Sequence, residues 1–460
     1  MAKKKTSLTP EQRLQEALVP ENEWPYQVPK NWCWTTGNVI LSPMETQRPD
    51  GEYFNYIDID AIDNKTQTVK NPKRLSTTDA PSRASRKLHA GDTVFSLVRP
   101  YLKNIAYIDE SLSECIASTG FFICSPQSTI NSRYFYLLMT SDYVVNGLNR
   151  FMKGDNSPSI RKDDILNFAY PLPPISEQQR IVDCIESLFA KLDEAKQKAQ
   201  DVLDGFETRK AAILHKAFTG GLTAEWRGEH SNFNVKWEHK ALSKTSIEII
   251  DGNRGSNYPK KEEFSSDGYC VFLNTKNVTK QGFSFEKVEF ITAEKDALLR
   301  KGKLIREDII LTTRGTIGNI AYYDYSIPYD NMRINSGMVI YRNGNEFYKP
   351  FLIWLYKSDI ILNQIKKMQT GSAQPQLPIK IMKELQLPIP SLNEQKEIVR
   401  ILDSLLSKEQ QAKEAAESVL EQIDLIKKSI LARAFRGDLG TNYPTEESSV
   451  ELLKEILGKQ

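Results

Sequence analysis

The densest group of residues able to make strong polar contacts lies between Lys65 and Lys103. Nine basic residues (Lys65, Lys70, Lys73, Arg74, Arg83, Arg86, Lys87, Arg99, Lys103) stand there against two acidic ones, Asp79 and Asp92. The whole chain balances 61 Lys and Arg against 59 Asp and Glu, for a net charge of +2. A local excess of this size is a candidate phosphate-contacting surface, since cations that neutralise a nucleic-acid backbone release its condensed counterions. The Ser, Thr and Asn residues among them can add neutral hydrogen bonds to phosphates or base edges. A looser group follows later: Arg254, Lys260, Lys261, Lys276 and Arg314, with Lys295, Arg300, Lys301 and Lys303 among acids. A charge run is also what any solvated face shows. Candidate nucleic-acid contacts are Lys70, Lys73, Arg74, Arg83, Arg86, Lys87, Arg99 and Lys103, then Arg254, Lys260, Lys261, Lys276 and Arg314.

Catalytic chemistry has no comparable set of residues, so no catalytic or metal site is assigned. The chain has no Gly-x-x-x-x-Gly-Lys-Ser/Thr phosphate loop, no Gly-x-Gly-x-x-Gly fingerprint and no Asp/Asn-Pro-Pro-aromatic tetrapeptide of an amino-methyltransferase. The piece nearest to that tetrapeptide, Leu172-Pro173-Pro174-Ile175, lacks its polar and aromatic ends. His89, His215, His230 and His239 have no metal-ligand spacing and read as surface or capping residues. Pro49-Asp50-Gly51-Glu52 could begin a nuclease carboxylate set, but no Glu-x-Lys follows it on a strand. Gly315-Thr316-Ile317-Gly318 reads as a turn. Cys33, Cys115, Cys124, Cys184 and Cys270 are odd in number and form no Cys-x-x-Cys pair, which fits reduced thiols.

The elements that must position these residues are set by an internal repeat. Residues 171–222 match 388–439 at a constant offset of 217 without a gap, with 21 of 52 positions identical. One copy opens PLPPISEQQRIV and the other PIPSLNEQKEIV; they end ILHKAFTGGL and ILARAFRGDL. The interior of each copy predicts a long helix. Ser176 or Asn393 is the expected N-cap, Gln179 holds the capping-box position, and Gly220 and Gly437 act as stops. Apolar residues recur by four and three: Ile181, Ile185, Leu188, Leu192, Ala195, Ala199, Val202, Phe206, then Ile213. In the second copy they are Ile398, Leu402, Leu405, Ala412, Ala416, Val419, Ile423, Ile426 and Ile430. A 3.5-residue spacing held this long predicts a coiled-coil seam about 60 Å long. Each register has one polar interruption, Arg209 in the first and Glu409 in the second. A polar seam position costs stability but selects one alignment.

The segments between the helices repeat more weakly. Gly91-Asp92-Thr93-Val94-Phe95-Ser96, Arg99 and Asn104-Ile105-Ala106-Tyr107 match Glu307-Asp308-Ile309-Ile310-Leu311-Thr312, Arg314 and Asn319-Ile320-Ala321-Tyr322. Ser118-Thr119-Gly120-Phe121 matches Asn335-Ser336-Gly337-Met338, and Gly154, Pro158 and Ile160 match Gly371, Pro375 and Leu377. Short β-branched and aromatic runs broken by Gly, Pro and Asn predict α+β globules on small twisted sheets. Helical period appears only over 134–151 and 351–368. Short helices are expected from Thr9 to Leu18 and near the end of the polar tail 443–460. At 460 residues the prior is about three domains of roughly 150 residues each. No apolar run reaches the ~18 residues of a membrane span. Lys3-Lys4-Lys5 leads into a polar stretch without a signal-peptide core. The expectation is a soluble, cytoplasmic, multi-domain chain.

The Pro-x-Pro…Glu-Gln…Ile-Val motif leading twice into a long helix, between two divergent globules, resembles the specificity subunit of type I restriction-modification enzymes. The resemblance runs from about Val28 to Leu439. It implies an N-terminal extension (1–25), a first target-recognition domain (26–170), a spacer helix (171–222), a second recognition domain (223–386), a second spacer helix (387–440) and a tail (441–460). The helices would pair antiparallel, with a pseudo-twofold relation between the halves, and each globule would read one half of an interrupted double-stranded DNA target. The implied partners are two methylation subunits, which bring S-adenosylmethionine, and motor-nuclease restriction subunits. No cofactor is expected in this chain. A competing reading is a coiled-coil scaffold whose globules bind protein.

Overall fold

The computed structural model describes residues 9–230, 236–342, 346–371 and 375–459, so Lys3-Lys4-Lys5 lies outside them. Two units emerge: one takes the residues up to Ala199 and those from Ser418 onward, the other runs Gln200–Glu417. Each therefore combines one globule with part of both long helices, whose ends pack into its core: Ile181, Ile185, Leu431 and Ala434 in the first, Leu214, Phe218, Ile398 and Leu402 in the second.

In the first unit, the β-branched and aromatic runs pair into two small sheets. A four-stranded sheet has the order Lys73–Ser76, Tyr53–Ile57, Ile116–Ser118, Ala84–Lys87, with a parallel pairing of Tyr56 on Ile116. A three-stranded antiparallel sheet has Thr93–Ser96 between Phe121–Cys124 and Ile105–Tyr107. Helices Ser132–Thr140 and Asp142–Asn149 cover it, broken by Ser141, whose hydroxyl caps the second. The sequence predicts one helical stretch there, and the break is a capping serine. Cys33–Thr36 pairs with Ala169–Leu172 and brings the two ends of the globule together.

The second unit repeats this plan. Ile309–Thr312 lies between Ile320–Tyr322 and Met338–Arg342, with Glu248–Asp251 added at the edge. Cys270–Leu273 pairs parallel with Met332–Ile334 and antiparallel with Phe290–Ile291. Helices Lys349–Tyr356 and Asp359–Met368 cover the sheet, and Glu238–Ala241 pairs with Gln386–Ile389.

The long helices run Ile175–Phe218 (44 residues) and Leu392–Ala434 (43 residues). Both start one residue earlier than the caps expected from sequence. Ser176 lies inside its helix and donates to Glu446 at 3.0 Å, and the Gln179 amide donates to Asp183 at 2.8 Å. In the second copy Ser391, not Asn393, accepts from the Glu394 N–H at 3.3 Å. Gly220 (φ +82°) and Gly437 (φ +78°) adopt the left-handed conformation that ends each helix.

The repeated Glu-Gln dipeptide has a structural cause. Gln178 donates to Pro173 O at 3.0 Å and accepts from Asn131 N at 2.8 Å. Gln395 donates to Pro390 O at 2.9 Å and accepts from Tyr348 N at 2.7 Å. Each glutamine therefore ties the helix start to the helical layer of its own globule. Glu177 is buried and accepts from Trp32 Nε1 at 2.7 Å and Asn442 Nδ2 at 2.8 Å. Glu394 is buried and accepts from Thr223 Oγ1 at 2.7 Å and Arg227 Nη2 at 2.6 Å. In both units the glutamate fastens the segment that follows the end of the other helix.

Within each unit the helices run antiparallel. Lys427 meets Asp193 at 2.6 Å in the first. In the second, Arg209 Nε meets Glu409 Oε2 at 2.8 Å and Lys413 lies over the Phe206 ring. The two polar interruptions of the seam are thus partners. Of the seam residues expected from sequence, Ile181, Ile185, Phe206, Ile398, Leu402 and Ile423 are buried, and Leu188, Leu192, Val202, Leu405 and Ile430 are half-buried. Val419 departs from the seam at 39 % exposure, as does Ile426 at 43 %. The Lys427–Asp193 pair places that stretch alongside the alanine-bearing stretch after Asp193, and alanines give little side chain to cover a neighbour.

Helix Pro10–Ala17, with a Thr9–Gln12 capping box, packs against helix Ser449–Lys459. Among the described residues, no helix is long and apolar enough to cross a membrane. The five cysteines are free thiols; Cys184 is half-buried and the other four are buried.

Candidate nucleic-acid interface

Four of the eight candidate cations of the first globule already hold a carboxylate. Lys70 pairs with Asp63, Lys73 with Asp58 at 2.6 Å, Lys87 with Glu45 at 2.7 Å and Lys103 with Asp142 at 2.7 Å. The Lys70 ammonium, helped by the Lys65 N–H, holds the Asp63 carboxyl down at about 2. The basic excess is therefore smaller in space than along the chain, because Glu45, Asp58, Asp63 and Asp142 lie outside the 65–103 window and fold back onto it. The tract is also not one patch. Lys73 and Arg74 sit on one edge strand of the four-stranded sheet, Arg86 and Lys87 on the other. Arg74 lies over the Tyr53 ring at 4.9 Å.

Two other arginines converge on a turn. Strand Phe121–Cys124 is preceded by Ser118-Thr119-Gly120, where the Gly120 N–H donates to Ser118 Oγ at 3.2 Å. The Thr119 N–H donates to Arg83 O at 2.9 Å and the Leu97 N–H to Gly120 O at 2.9 Å, so exposed Arg83 and the loop bearing exposed Arg99 flank this turn. Arg99 is left-handed (φ 48°) and its guanidinium donates to Asn156 O at 2.9 Å.

The second globule has the same device. In Asn335-Ser336-Gly337 the Gly337 N–H donates to Asn335 Oδ1 at 2.9 Å. The Thr313 and Arg314 N–H groups donate to Gly337 O at 2.8 and 3.2 Å, and Arg254 lies 3.3 Å from Asp251 with Ser336 O at 3.5 Å. Arg99 and Arg314 come from the same loop of the repeat, whereas Arg83 and Arg254 arrive from unrelated segments. Lys260 and Lys261 are exposed at the single turn Lys261–Glu263, and Lys276 is exposed on the turn Thr275–Asn277.

Beside each arginine turn lies a cleft. After Tyr53–Ile57 the chain makes one 3-10 turn (Ile59–Ala61) and a hairpin, 62–69; after Cys270–Leu273 it makes Thr275–Asn277 and a hairpin, 278–283. Hairpin and arginine loop enclose about 480 Å³ in the first globule, lined by Asp60, Asn64, Arg99, Leu102 and Asn104. In the second they enclose about 470 Å³, lined by Lys276, Lys280, Gln281, Thr316 and Asn319. The turn borders the cleft in both. A Cβ on Gly120 would stand 3.4 Å from Ile59 Cδ1, and one on Gly337 would stand 2.9 Å from Thr275 Cγ2. Turn, arginine loop and cleft thus lie side by side on each globule, with polar side chains set among Ile59, Ile62 and Val98 in the first cleft and Val278 and Ile317 in the second. Their guanidinium groups suit phosphate oxygens or guanine edges, and their amides and hydroxyls suit base edges.

Charge clustering passed over Asp60, Asn64, Lys280, Gln281 and Thr316. The repeat offset, 216 at Gly91/Glu307, 215 at Arg99/Arg314 and 217 at Ser118/Asn335, marks length differences at the arginine loop and before the turn, but it is unchanged at Asp60/Lys276 and Asn64/Lys280 and so does not single them out.

A family model described as a type I restriction modification DNA specificity domain matches residues 39–203 and again 234–422. The type I restriction enzyme EcoBI specificity subunit of Escherichia coli is 24% identical over 332 residues, covering 69% of this chain and 67% of that protein. The EcoKI specificity subunit of Escherichia coli (strain K12) is 22% identical over 339 residues, covering 72% and 71%. The fold is similar to the crystal structure of the HsdS subunit from Thermoanaerobacter tengcongensis, with a TM-score of 0.70 and 24% identity over 91% of this chain and 100% of that one. With two matches of the model, each taking in one globule and part of the helix that follows it, the chain belongs to the type I restriction modification DNA specificity domain family.

Proposed function

We propose that this chain is the DNA-reading specificity subunit of a type I restriction-modification complex, each globule reading one half of a bipartite duplex target. The observation that carries the reading is the duplicated face: an arginine-flanked turn beside a cleft, at the same place in two globules of unlike surface sequence. Two similar readers on one chain suit a duplex, whose backbone has local twofold symmetry. Arg99 and Arg314 supply phosphate contacts and register, and polar side chains at the clefts supply base discrimination, each good bidentate pair being worth about 1–3 kcal/mol. The helical pair sets the unread stretch between half-sites and docks two methylation subunits, which carry S-adenosylmethionine and transfer its methyl group to adenine. Motor-nuclease subunits join for restriction. This chain itself performs no catalysis and works in the cytoplasm.

The test is to express the chain with its methylation subunits in a host lacking adenine methylation and map N6-methyladenine by single-molecule sequencing. Two short blocks separated by a fixed unread stretch, methylated on opposite strands, are expected. A continuous motif would leave one globule without a reading role. No modification from a folded, assembled complex would favour a protein-binding scaffold.

A further inference from the structure

The two clefts occupy the same place in the repeat yet carry opposite charge at the same position. In each globule a strand leads to a cap residue, Asp58 or Asn274, and then to a single 3-10 turn. Asp60 and Lys276 are both the second residue of that turn, and Asn64 and Lys280 stand at matching places at the hairpin that follows. The Asp60 carboxylate is 88% exposed, and its nearest cation, Lys73, is 4.0 Å away and already held by Asp58 at 2.6 Å. Lys276 is exposed, and among the described residues its ammonium has no hydrogen-bond or ion-pair partner; only its backbone N–H is engaged, by Asn274 Oδ1 at 2.9 Å.

A carboxylate this exposed, reached by Lys73 only at 4.0 Å, opposes the binding of any polyanion to its face. It is compensated only where it accepts from an exocyclic amino group, which in the major groove belongs to cytosine and adenine. An ammonium at the same position donates instead to the O6 and N7 acceptors of guanine. On the reading that each globule binds one half-site, we propose that Asp60 with Asn64, and Lys276 with Lys280, are specificity-determining residues. The first cleft takes a base edge bearing an amino group, and the second takes an acceptor edge, guanine foremost. The sign change at this position of the turn then makes the two half-sites differ at the base pair it meets.

The experiment uses the complete complex with its methylation subunits, comparing the unaltered chain with Asp60→Lys, Asp60→Asn and Lys276→Asp. Adenine methylation is mapped genome-wide. Purified complexes are titrated with duplexes carrying each of the four base pairs at every position of both half-sites. Asp60→Lys is expected to change the preferred base at one position of one half-site, and Lys276→Asp at one position of the other. Discrimination at that position should fall about tenfold or more, the remaining positions holding. An unchanged motif, or an equal affinity change for all duplexes, overturns the proposal and makes these residues solvated or phosphate-facing. A variant that no longer binds any of the duplexes overturns it too. If the unaltered complex yields no bipartite motif, the functional reading falls and takes the proposal with it. Unchanged variants beside a bipartite motif sink the proposal alone.

Discussion

At the scale of single residues, the same side chain does different work in the two halves. Both Glu177 and Glu394 accept from a threonine hydroxyl, but Glu177 also receives an indole N–H and an amide, whereas Glu394 receives a guanidinium. Replacing Glu394 by Ala removes the carboxylate from half-buried Arg227, which keeps its bond to Gly220 O, and is expected to cost about 2–3 kcal/mol, as loss of a hydrogen bond to a charged group does. Glu177→Ala leaves neutral donors without an acceptor and is expected to cost about 1–3 kcal/mol. Denaturant unfolding of the full chain ranks the two, and equal losses would mean that the guanidinium gains no more from Glu394 than the neutral donors gain from Glu177. A second prediction concerns the cations. Arg99→Gln and Arg314→Gln should each lower the salt slope of DNA binding by about one, as loss of a phosphate contact does. Lys70→Gln and Lys73→Gln should change it less, because those ammonium groups already hold Asp63 and Asp58. Anisotropy titrations over a salt series test this, and equal slopes for all four variants would restore the simple charge-window view. That window found the arginines but misjudged the lysines, since carboxylates distant in sequence fold onto them. A count along the chain cannot register such partners.

At the scale of elements, the helical seam was legible from its spacing, and its two flaws were visible as Arg209 and Glu409. Their meeting was not, because only the antiparallel register brings position 209 to 409. The Ser176 cap was misplaced for a related reason: its hydroxyl is taken by Glu446 from the tail, 270 residues away. A half-exposed ion pair of this kind should show a coupling of about 1 kcal/mol in a double-mutant cycle. Arg209→Glu alone places two carboxylates at one seam position and should lower the unfolding midpoint, and adding Glu409→Arg should restore it. No restoration would show that the pair does not set the register. The tail gives a pH prediction. Arg180 holds the Glu446 carboxyl below its usual 4.5 and is bonded to it at 2.6 Å. A carboxyl lowered in the folded state contributes stability that is complete above its unfolded value and lost as pH falls through the folded one. The segment carrying helix Ser449–Lys459 should therefore stay anchored at pH 5 and above and loosen below about pH 4.5, whereas Glu446→Gln should loosen it at neutral pH. Hydrogen exchange of that helix reads both, and protection independent of pH and of the substitution would assign the anchorage to the apolar contacts of Leu453 and Ile456.

At the scale of the whole molecule, the two units are continuous only through the long helices, which cross from one to the other between Ala199 and Gln200 and between Glu417 and Ser418. On the proposed reading, the helices are then the part of the chain that determines how many unread base pairs separate the half-sites. A seven-residue insertion at both crossings preserves the seam's phase, since the apolar pattern repeats every seven residues. It lengthens each helix by about 10 Å, at ~1.5 Å per residue. Along B-DNA, with ~3.4 Å per base pair, that is about three base pairs. Adenine methylation by the doubly extended chain should retain both half-sites and show an unread stretch longer by about that amount. Insertion into one helix alone leaves the pair with unequal arms, throws one seam out of register with the other, and should lower the unfolding midpoint without yielding a new spacing. An unchanged gap in the doubly extended chain would mean that the DNA spacing is imposed by the methylation subunits gripping each globule, and that the helices serve only to tie the two readers together.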